Sequence, residues 1–330
     1  MADLESVLKS LNKGFKTGEI KVGVEFTELE KIPFKSPRLN YMTYGGLPLG
    51  RIVEFSGAEG SGKTTTTLDI IANAQKKYPE RNILFVDVES TFDTHWANKM
   101  NVDCDKLILY RPEAQTAEEV LQAILDIIDT GEIVCAVLDS IACLVSKQEE
   151  EKTLDQKTMA GISSVLTTFG RKLIPILARN NCLFIGINQL RDAVGNPMGG
   201  TVTPGGRAWK HDCSVRLMFR KGTFIDENGN SLSRGAENPA GNIVNVALEK
   251  SKVNSSDRRI GFYTLNYLDG IDYISDFIDV AIKNDLITQK GAWFELPNVD
   301  GVIEKLQGKK KVKQYLVDNP DCYEILNNLI

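Results

Sequence analysis

Histidine is scarce in this 330-residue chain: only His95 and His211 are present, which argues against a zinc site built on several imidazoles. The six cysteines (Cys104, Cys135, Cys143, Cys182, Cys213 and Cys322) contain no CxxC pair, and several sit in apolar runs. That pattern reads as reduced, buried thiols of a cytoplasmic protein. No apolar run approaches the length of a membrane span, so no membrane role is expected. The opening MADLESVLKSLNKGFK lacks an apolar core ahead of a cleavage site, which argues against a secretory signal. Internal repeats and low-complexity tails are also missing. An excess of positive charge is absent too, since 39 Lys and Arg face 44 Asp and Glu, a net charge of −5. Global charge therefore names no nucleic-acid partner, although phosphate affinity depends on local Lys and Arg clusters.

What is present is ordinary globular composition, 42% hydrophobic and 25% charged, in a chain long enough for one large α/β domain plus smaller additions. A first helix is expected over residues 3–15, with Leu4, Val7, Leu8, Leu11 and Phe15 at helical spacing and Lys9, Lys13 and Lys16 opposite. After the turn-rich Gly45-Gly46-Leu47-Pro48-Leu49-Gly50, apolar strands at 52–56, 83–88, 107–110, 133–138 and 182–188 alternate with helices. One of these helices, 116–128, opens with the capping box Thr116-Ala-Glu-Glu119. Nearly continuous apolar strands alternating with helices predict a mostly parallel sheet covered on both faces. Residues 214–220, 242–250 and 259–265 read as successive strands of an antiparallel extension. The character shifts again near Tyr267, towards short helices and the lysine-rich Lys309-Lys310-Lys311-Val-Lys313. The expected division is an N-terminal segment 1–33, a core 34–268 and a small α/β C-terminal domain 269–330.

The chemistry enters at Gly57-Ala58-Glu59-Gly60-Ser61-Gly62-Lys63-Thr64, which fits GxxxxGK[ST] without exception. It follows the strand Arg51-Ile-Val-Glu-Phe and opens a helical stretch beginning at Thr65, the context such a phosphate-binding loop requires. The glycines let backbone N–H groups close around phosphates at the positive end of a helix dipole. Lys63 would offset β- and γ-phosphate charge, and Thr64 would ligate Mg²⁺. Ile133-Val-Cys-Ala-Val-Leu-Asp139 is a buried strand ending in a carboxylate suited to the Mg²⁺ shell. On the intervening strand, Asp87 and Glu89 share a face, and spacing alone does not choose which activates water and which caps the next turn.

Along nearly its whole length the sequence resembles the bacterial RecA recombinase family. The resemblance is carried by Gly45-Gly-Leu-Pro-Leu-Gly-Arg-Ile-Val-Glu54, the phosphate loop, Val86-Asp-Val-Glu89, Val137-Leu-Asp-Ser140, Ile187-Asn-Gln189 and Pro204-Gly-Gly206. Weaker likenesses occur at Gly14–Ile20, Gly291-Ala-Trp293 and Asp318-Asn-Pro320. The resemblance implies a RecA-type P-loop NTPase fold with an N-terminal helical segment. It implies that Glu89 is the general base, that Asp93 and Trp96 contact adenine, and that Tyr267 lies beside the base. It also implies that Gln189 senses the γ-phosphate, and that Lys250 and Lys252 reach across a subunit interface to a neighbour's ATP, as arginine fingers do.

Two stretches without hydrophobic pattern, about 148–159 and 190–207, are expected to be functional loops. The second joins Arg191 and Arg207 to Gly195, Gly199, Gly200, Gly205 and Gly206, combining close backbone approach with charge. The resemblance makes both loops DNA-binding, with Met159 and Val194 at the positions that insert between base triplets and Arg171 as a further DNA contact. Several features depart from the family pattern. Glu149-Glu-Glu151 is acidic, Ser164 replaces an arginine, His211 replaces a phenylalanine, the second loop is short and lacks an aromatic residue, and no acidic tail precedes Ile330. The lysines at 309, 310, 311 and 313 read either as a gateway for duplex DNA or as a solvated helix start.

The expected function is an ATP- and Mg²⁺-dependent, DNA-stimulated recombinase. It would form a homo-oligomeric helical filament on single-stranded DNA and pair it with homologous double-stranded DNA. The alternatives are a hexameric helicase motor on the same fold and a non-catalytic DNA-coating mediator gated by nucleotide.

Overall fold

The computed structural model describes residues 3–14, 20, 29–153, 161–192, 201–227 and 229–329. Met159, Val194, Gly195, Gly199 and Gly200 lie outside the described residues. The chain divides into two compact units, Met1–Glu30 and Lys31–Ile330. The first holds α1 (Leu4–Gly14), an amphipathic helix with Leu4, Val7, Leu8 and Leu11 on one stripe. Asp3 caps it by accepting from the Ser6 N–H at 2.7 Å.

In the second unit, β1 (Lys31–Ile32) pairs antiparallel with β2 (Leu47–Pro48) around α2 (Pro37–Thr43). Gly46 makes this entry possible, because a Cβ there would lie 2.2 Å from the Ile32 carbonyl oxygen. The sheet strands then follow as β3 (Ile52–Gly57), β4 (Asn82–Asp87), β5 (Leu107–Tyr110), β6 (Ile133–Asp139) and β7 (Leu183–Gln189). A short pair outside the sheet, β8 (Arg191–Asp192) and β9 (Thr201–Val202), precedes β10 (Val215–Ile225), β11 (Gly241–Ser251), β12 (Ile260–Asn266) and β13 (Gly270–Ile271). Their spatial order is β13-β12-β11-β10-β3-β7-β6-β4-β5. From β10 to β5 all neighbours are parallel, and β11, β12 and β13 extend the sheet antiparallel. The sequence placed 214–220 in the antiparallel extension. That segment does pair antiparallel with β11, and its other edge joins β3 in parallel, so the sense of the sheet changes between β10 and β11.

Strand alternation divides the core into two layers. Val53, Phe55, Ile83, Phe85 and Val137 face Leu68, Ile71 and Ala74 of α3 (Lys63–Lys77). Leu84, Val86, Ala136 and Leu138 face the other side. Beyond the short α4 (Thr94–Lys99), that second layer is built from α5 (Ala117–Asp129) and, after α6 (Lys147–Glu150), from α7 (Gly161–Asn180). Each large apolar side chain so buried is worth roughly 1.5–3 kcal/mol. The capping box at Thr116 and Glu119 forms as read from the sequence.

A third helix-ended connection, α8 (Gly206–Asp212), leads into β10. The C-terminal region has its own core, with Phe277 and Ile278 of α9 (Tyr273–Lys283) against Phe294, Leu296, Val312 and Leu316. These residues come from a three-stranded antiparallel sheet, β14 (Thr288–Lys290), β15 (Trp293–Pro297) and β16 (Ile303–Gln307), and from α10 (Lys309–Asp318); α11 (Pro320–Asn327) closes the region. Arg38 of α2 ties α9 to the core through Asp276 at 2.7 Å and Asp279 at 2.8 Å. Among the described residues no helix is long and apolar enough to cross a membrane.

Candidate functional site

The site forms where parallel strands end, the edge at which open α/β sheets take ligands. β3 delivers Gly57 into the loop, and α3 starts at Lys63 with Gly62 as its N-cap. Gly62 has φ +98°, and a Cβ there would lie 3.0 Å from Val244, so both backbone conformation and space demand glycine. Lys63 is 8% exposed, and its ammonium donates to the carbonyls of Gly57 at 3.0 Å and Ala58 at 2.8 Å. Burial holds its pKa below the ordinary lysine value, opposed by the carboxylates of Asp139, Glu89 and Glu59. The Ser61 hydroxyl is buried in the same loop without a partner among the described residues. An anion in the loop would satisfy that orphaned group.

Thr64 Oγ1 donates to Asp139 Oδ2 at 3.1 Å. Burial raises the Asp139 pKa to about 6, and the nearby Glu89 charge pushes it the same way. A hydroxyl beside an under-neutralised carboxylate is a hard oxygen pair suited to Mg²⁺, which takes few protein ligands and completes its shell with water and phosphate. Among the described residues no group of three or more His, Cys, Asp or Glu could hold a metal ion by itself.

The two carboxylates left open by strand alternation are separated by their contacts. Asp87, 1% exposed, accepts the N–H groups of Thr91 at 3.0 Å and Phe92 at 3.1 Å and the Nε of Arg111 at 3.0 Å. It therefore serves the following turn. Glu89 lies beyond the strand, half-buried, where Oε1 accepts from Gln189 Nε2 at 2.7 Å, Ser140 Oγ at 2.5 Å and Cys143 Sγ at 3.4 Å. Gln189 pairs in register with Gly57, beside the phosphate loop.

A cavity of about 350 Å³ opens over the loop, lined by Gly60, Ser61, Gly62, Lys63, Thr64 and Thr65. Trp96, Tyr267, Lys221, Asn242 and Leu265 complete its wall. Its size falls within the range of small-molecule sites. Trp96 Nε1 donates to Thr65 Oγ1 at 3.3 Å, and Tyr267 donates to Asn242 Oδ1 at 2.8 Å. Asp93 is not in that wall; its Oδ1 caps α4 by accepting from His95 and Trp96 N–H groups. The sequence reading missed Lys221, Asn242 and Leu265, which reach the cavity only through the order β12-β11-β10-β3.

Two family models cover the chain, the RecA N-terminal domain over residues 2–272 and the RecA C-terminal domain over residues 275–330. The protein named RecA in Paracoccus denitrificans is 32% identical, with the match covering 99% of this chain and 88% of that protein. The Rickettsia bellii RecA is 34% identical over 100% of this chain and 91% of its own length, and that of Aquifex pyrophilus 34% over 98% and 89%. The chain belongs to the RecA family. It is accordingly a recombinase of that family, with a P-loop nucleotide-binding core and DNA-dependent ATPase activity.

Against the RecA family pattern, the remaining expected residues fall into two groups. Near the ends of β7 and α7, Arg191 is exposed, and its Nη2 donates to the Ala142 carbonyl at 2.8 Å. Gly205 and Gly206, with φ +100° and +73°, start α8; a Cβ on Gly205 would lie 3.1 Å from Leu166 and 3.2 Å from Trp209. Arg207 on α8 and Arg171 on α7 are exposed. The first loop begins less freely than expected, because α6 covers 147–150 and Glu149 caps Ser146, giving one of its acidic residues a structural task.

Lys250 and Lys252 form the second group. Lys250 Nζ donates to the carbonyls of Lys210 at 2.6 Å and His211 at 2.8 Å, and Lys252 Nζ donates to the His211 carbonyl at 2.5 Å. The register sets Lys250 opposite Arg216, and Arg216 opposite Glu54, three residues before Gly57 on β3. Both lysines thus leave the sheet at the end away from their own phosphate loop. Of the C-terminal lysines, Lys309 pairs with Asp279 at 2.5 Å and Lys313 with Asp272 at 2.6 Å.

The sequence also gave no warning of a buried charge under the site. Glu54, fully buried, accepts from Asn188 Nδ2 at 2.9 Å, Trp209 Nε1 at 3.0 Å and Arg216 Nε at 2.5 Å. Asn188 also donates to the Pro204 carbonyl at 3.0 Å, so one hub ties the strand before Gln189 to the end of the second loop.

Proposed function

We propose that this chain assembles as a helical filament on single-stranded DNA, binds ATP with Mg²⁺ between adjoining subunits, and pairs the strand with homologous duplex. The carrying observation is the position of Gln189. Its amide bonds Glu89, its strand register adjoins Gly57, and two residues later the chain reaches Arg191 in the DNA loop.

In this reading the loop amides and Lys63 hold the triphosphate, while Thr64 and Asp139 hold Mg²⁺, which supplies charge neutralisation at the phosphates. Glu89 orients and deprotonates water, and Gln189 passes the state of the nucleotide to the loop that ends at Arg207. Trp96 and Tyr267 flank the base, with Asp93 reading its polar edge. Lys250 and Lys252 act in trans on a neighbour's nucleotide; their placement at the opposite end of β11 supports this, since they do not line their own cavity. Segment 1–33 serves oligomerisation through the apolar stripe of α1, core 34–268 hydrolyses ATP, and domain 269–330 meets duplex DNA. Arg171, Arg191 and Arg207 contact the single strand by charge and Gly195, Gly205 and Gly206 by close backbone approach, while Met159 and Val194 insert between base triplets. Sequence fidelity is left to base pairing.

A strand-exchange assay with ATP and homologous DNA, beside a heterologous control, tests the reading. Homology-dependent product with helical filaments in electron micrographs supports it. Closed rings would favour a translocating motor, and filaments that neither hydrolyse ATP nor exchange strands a passive coat.

A further inference from the structure

The short turn Ile141–Cys143 stands between two parts of the site that Gln189 already connects. On one side, Arg191 Nη2 donates to the Ala142 carbonyl at 2.8 Å. On the other, the next residue, Cys143, donates its thiol to Glu89 Oε1 at 3.4 Å, and Ser140, just before the turn, donates to the same oxygen at 2.5 Å. Ser140 Oγ and Cys143 Sγ are themselves 3.5 Å apart. Cys143 and Arg191 also line one cavity together with Glu149 and Lys152 of the first loop. The turn is anchored beneath by Ile141, which packs in the core against Gly186, where a Cβ would lie 2.8 Å from its Cδ1. The turn therefore rests on packed core rather than on a soft segment.

We propose that the Ile141–Cys143 turn is a second coupling path from the DNA loop to the hydrolytic base, running Arg191–Ala142–Cys143–Glu89, with Cys143 as a positioning residue for Glu89. It rests on the reading of Glu89 as base and Arg191 as DNA contact. When a phosphate group of DNA takes the Arg191 guanidinium, the Ala142 carbonyl loses its donor and the turn resets the two hydrogen bonds on Oε1. This fixes which way the carboxylate faces water. Partial desolvation, reinforced by the Glu89 and Asp139 charges, holds the Cys143 thiol above its ordinary range. Its sulfur is thus a proton donor at neutral pH rather than a nucleophile.

Cys143→Ala and Cys143→Ser in the full chain separate the possibilities, with ATP hydrolysis measured with and without single-stranded DNA. The alanine variant is expected to lose about tenfold in DNA-stimulated kcat, with KM for ATP and ADP affinity within about twofold. Its DNA-free rate should fall by clearly less than the stimulated rate, so that the ratio of the two drops, and serine, which restores a donor, should recover most of the stimulated rate. The proposal is overturned by stimulated turnover equal to the parent's, by an equal loss with and without DNA, or by serine behaving as alanine does. Glu89→Gln, run in parallel, keeps the underlying reading separate. If that variant hydrolyses ATP normally, the assignment of the base fails whatever Cys143 does; if it is inactive, the Cys143 results judge the coupling path alone.

Discussion

Gln189 and Glu89 meet at 2.7 Å, amide to carboxylate, across the gap between the end of β7 and the bend after β4. One side chain thus restrains the oxygen that we propose activates water and also begins the segment that carries Arg191. Gln189→Ala should therefore separate binding from response. ADP affinity should remain within about threefold, since the phosphate loop is intact, while single-stranded DNA should stimulate hydrolysis about a hundredfold less. Normal stimulation by DNA in this variant would refute the link.

Lys63→Ala removes the ammonium that two loop carbonyls hold in place. Loss of a preorganised charge against a developing phosphate charge costs at least about 10²-fold in kcat. Phosphate release in the presence of DNA measures it, and turnover near the parent's would defeat the assignment of the nucleotide site.

The nucleotide loop was legible because its parts are contiguous. Eight consecutive residues between a strand and a helix carry the backbone donors, the Lys63 ammonium and the Thr64 hydroxyl together, so neighbours in sequence are neighbours in the cavity. Asp87 and Glu89 were not separable that way, because they sit two apart and alternation gives both one face. What divides them is that Arg111 and two N–H groups after the strand converge on Asp87. Lys221 and Asn242 come from strands set beside β3 by sheet order, and Cys143 meets Glu89 across 54 residues. Such contacts have no local sequence signature. The parallel run of β10 was missed for a related reason: pairing sense depends on the long return through α7, β7 and α8, not on the residues of β10 itself.

The buried Glu54 hub sets a stability prediction. Arg216, 14% exposed at its side chain, neutralises a carboxylate that is fully inaccessible. Removing the cation leaves that charge without its partner, so Arg216→Ala should destabilise the fold by about 3 kcal/mol. Replacing both members, as Glu54→Gln with Arg216→Met, should cost less than the single change. Urea unfolding checks the order; a double variant weaker than the single one would mean that the hub's worth lies outside the ion pair.

Asp69 on α3 gives the stability a pH dependence. It is 2% exposed, and burial raises its pKa to about 7 against bonds from the Lys35 N–H at 2.8 Å and from Asn73 at 3.3 Å. In the unfolded chain an aspartate ionises near pH ~4. Between those values the folded state binds more protons than the unfolded one, so this contribution is full below the unfolded pKa. It is lost as pH rises through the folded pKa, a change of about 4 kcal/mol in all, of which roughly 3 kcal/mol falls between pH 5 and pH 8. Asp69→Asn does not ionise. The stability difference between pH 5 and pH 8 should shrink by that amount relative to the parent, and an unchanged difference would show that Asp69 does not titrate in this window.

The last test concerns which subunit owns each half of the hydrolytic site. Within one chain, Lys250 and Lys252 hold the carbonyls that end α8 and lie at the far end of β11 from the phosphate loop. If they serve a neighbour, a Lys250→Ala, Lys252→Ala double variant has an intact nucleotide cavity but offers no cations, whereas Glu89→Gln offers cations but has no base. Each alone should hydrolyse at least about 10²-fold more slowly than the parent. Mixed on DNA, interfaces that set a Glu89→Gln protomer's lysines against a double-variant protomer's cavity contain every group, so activity should return to well above the sum of the two separate rates. Lysines acting within their own chain would allow no such rescue at any mixing ratio, because no cavity in the mixture would then hold both base and cations. The rescued rate should also peak at equal amounts of the two proteins, where mixed interfaces are most numerous.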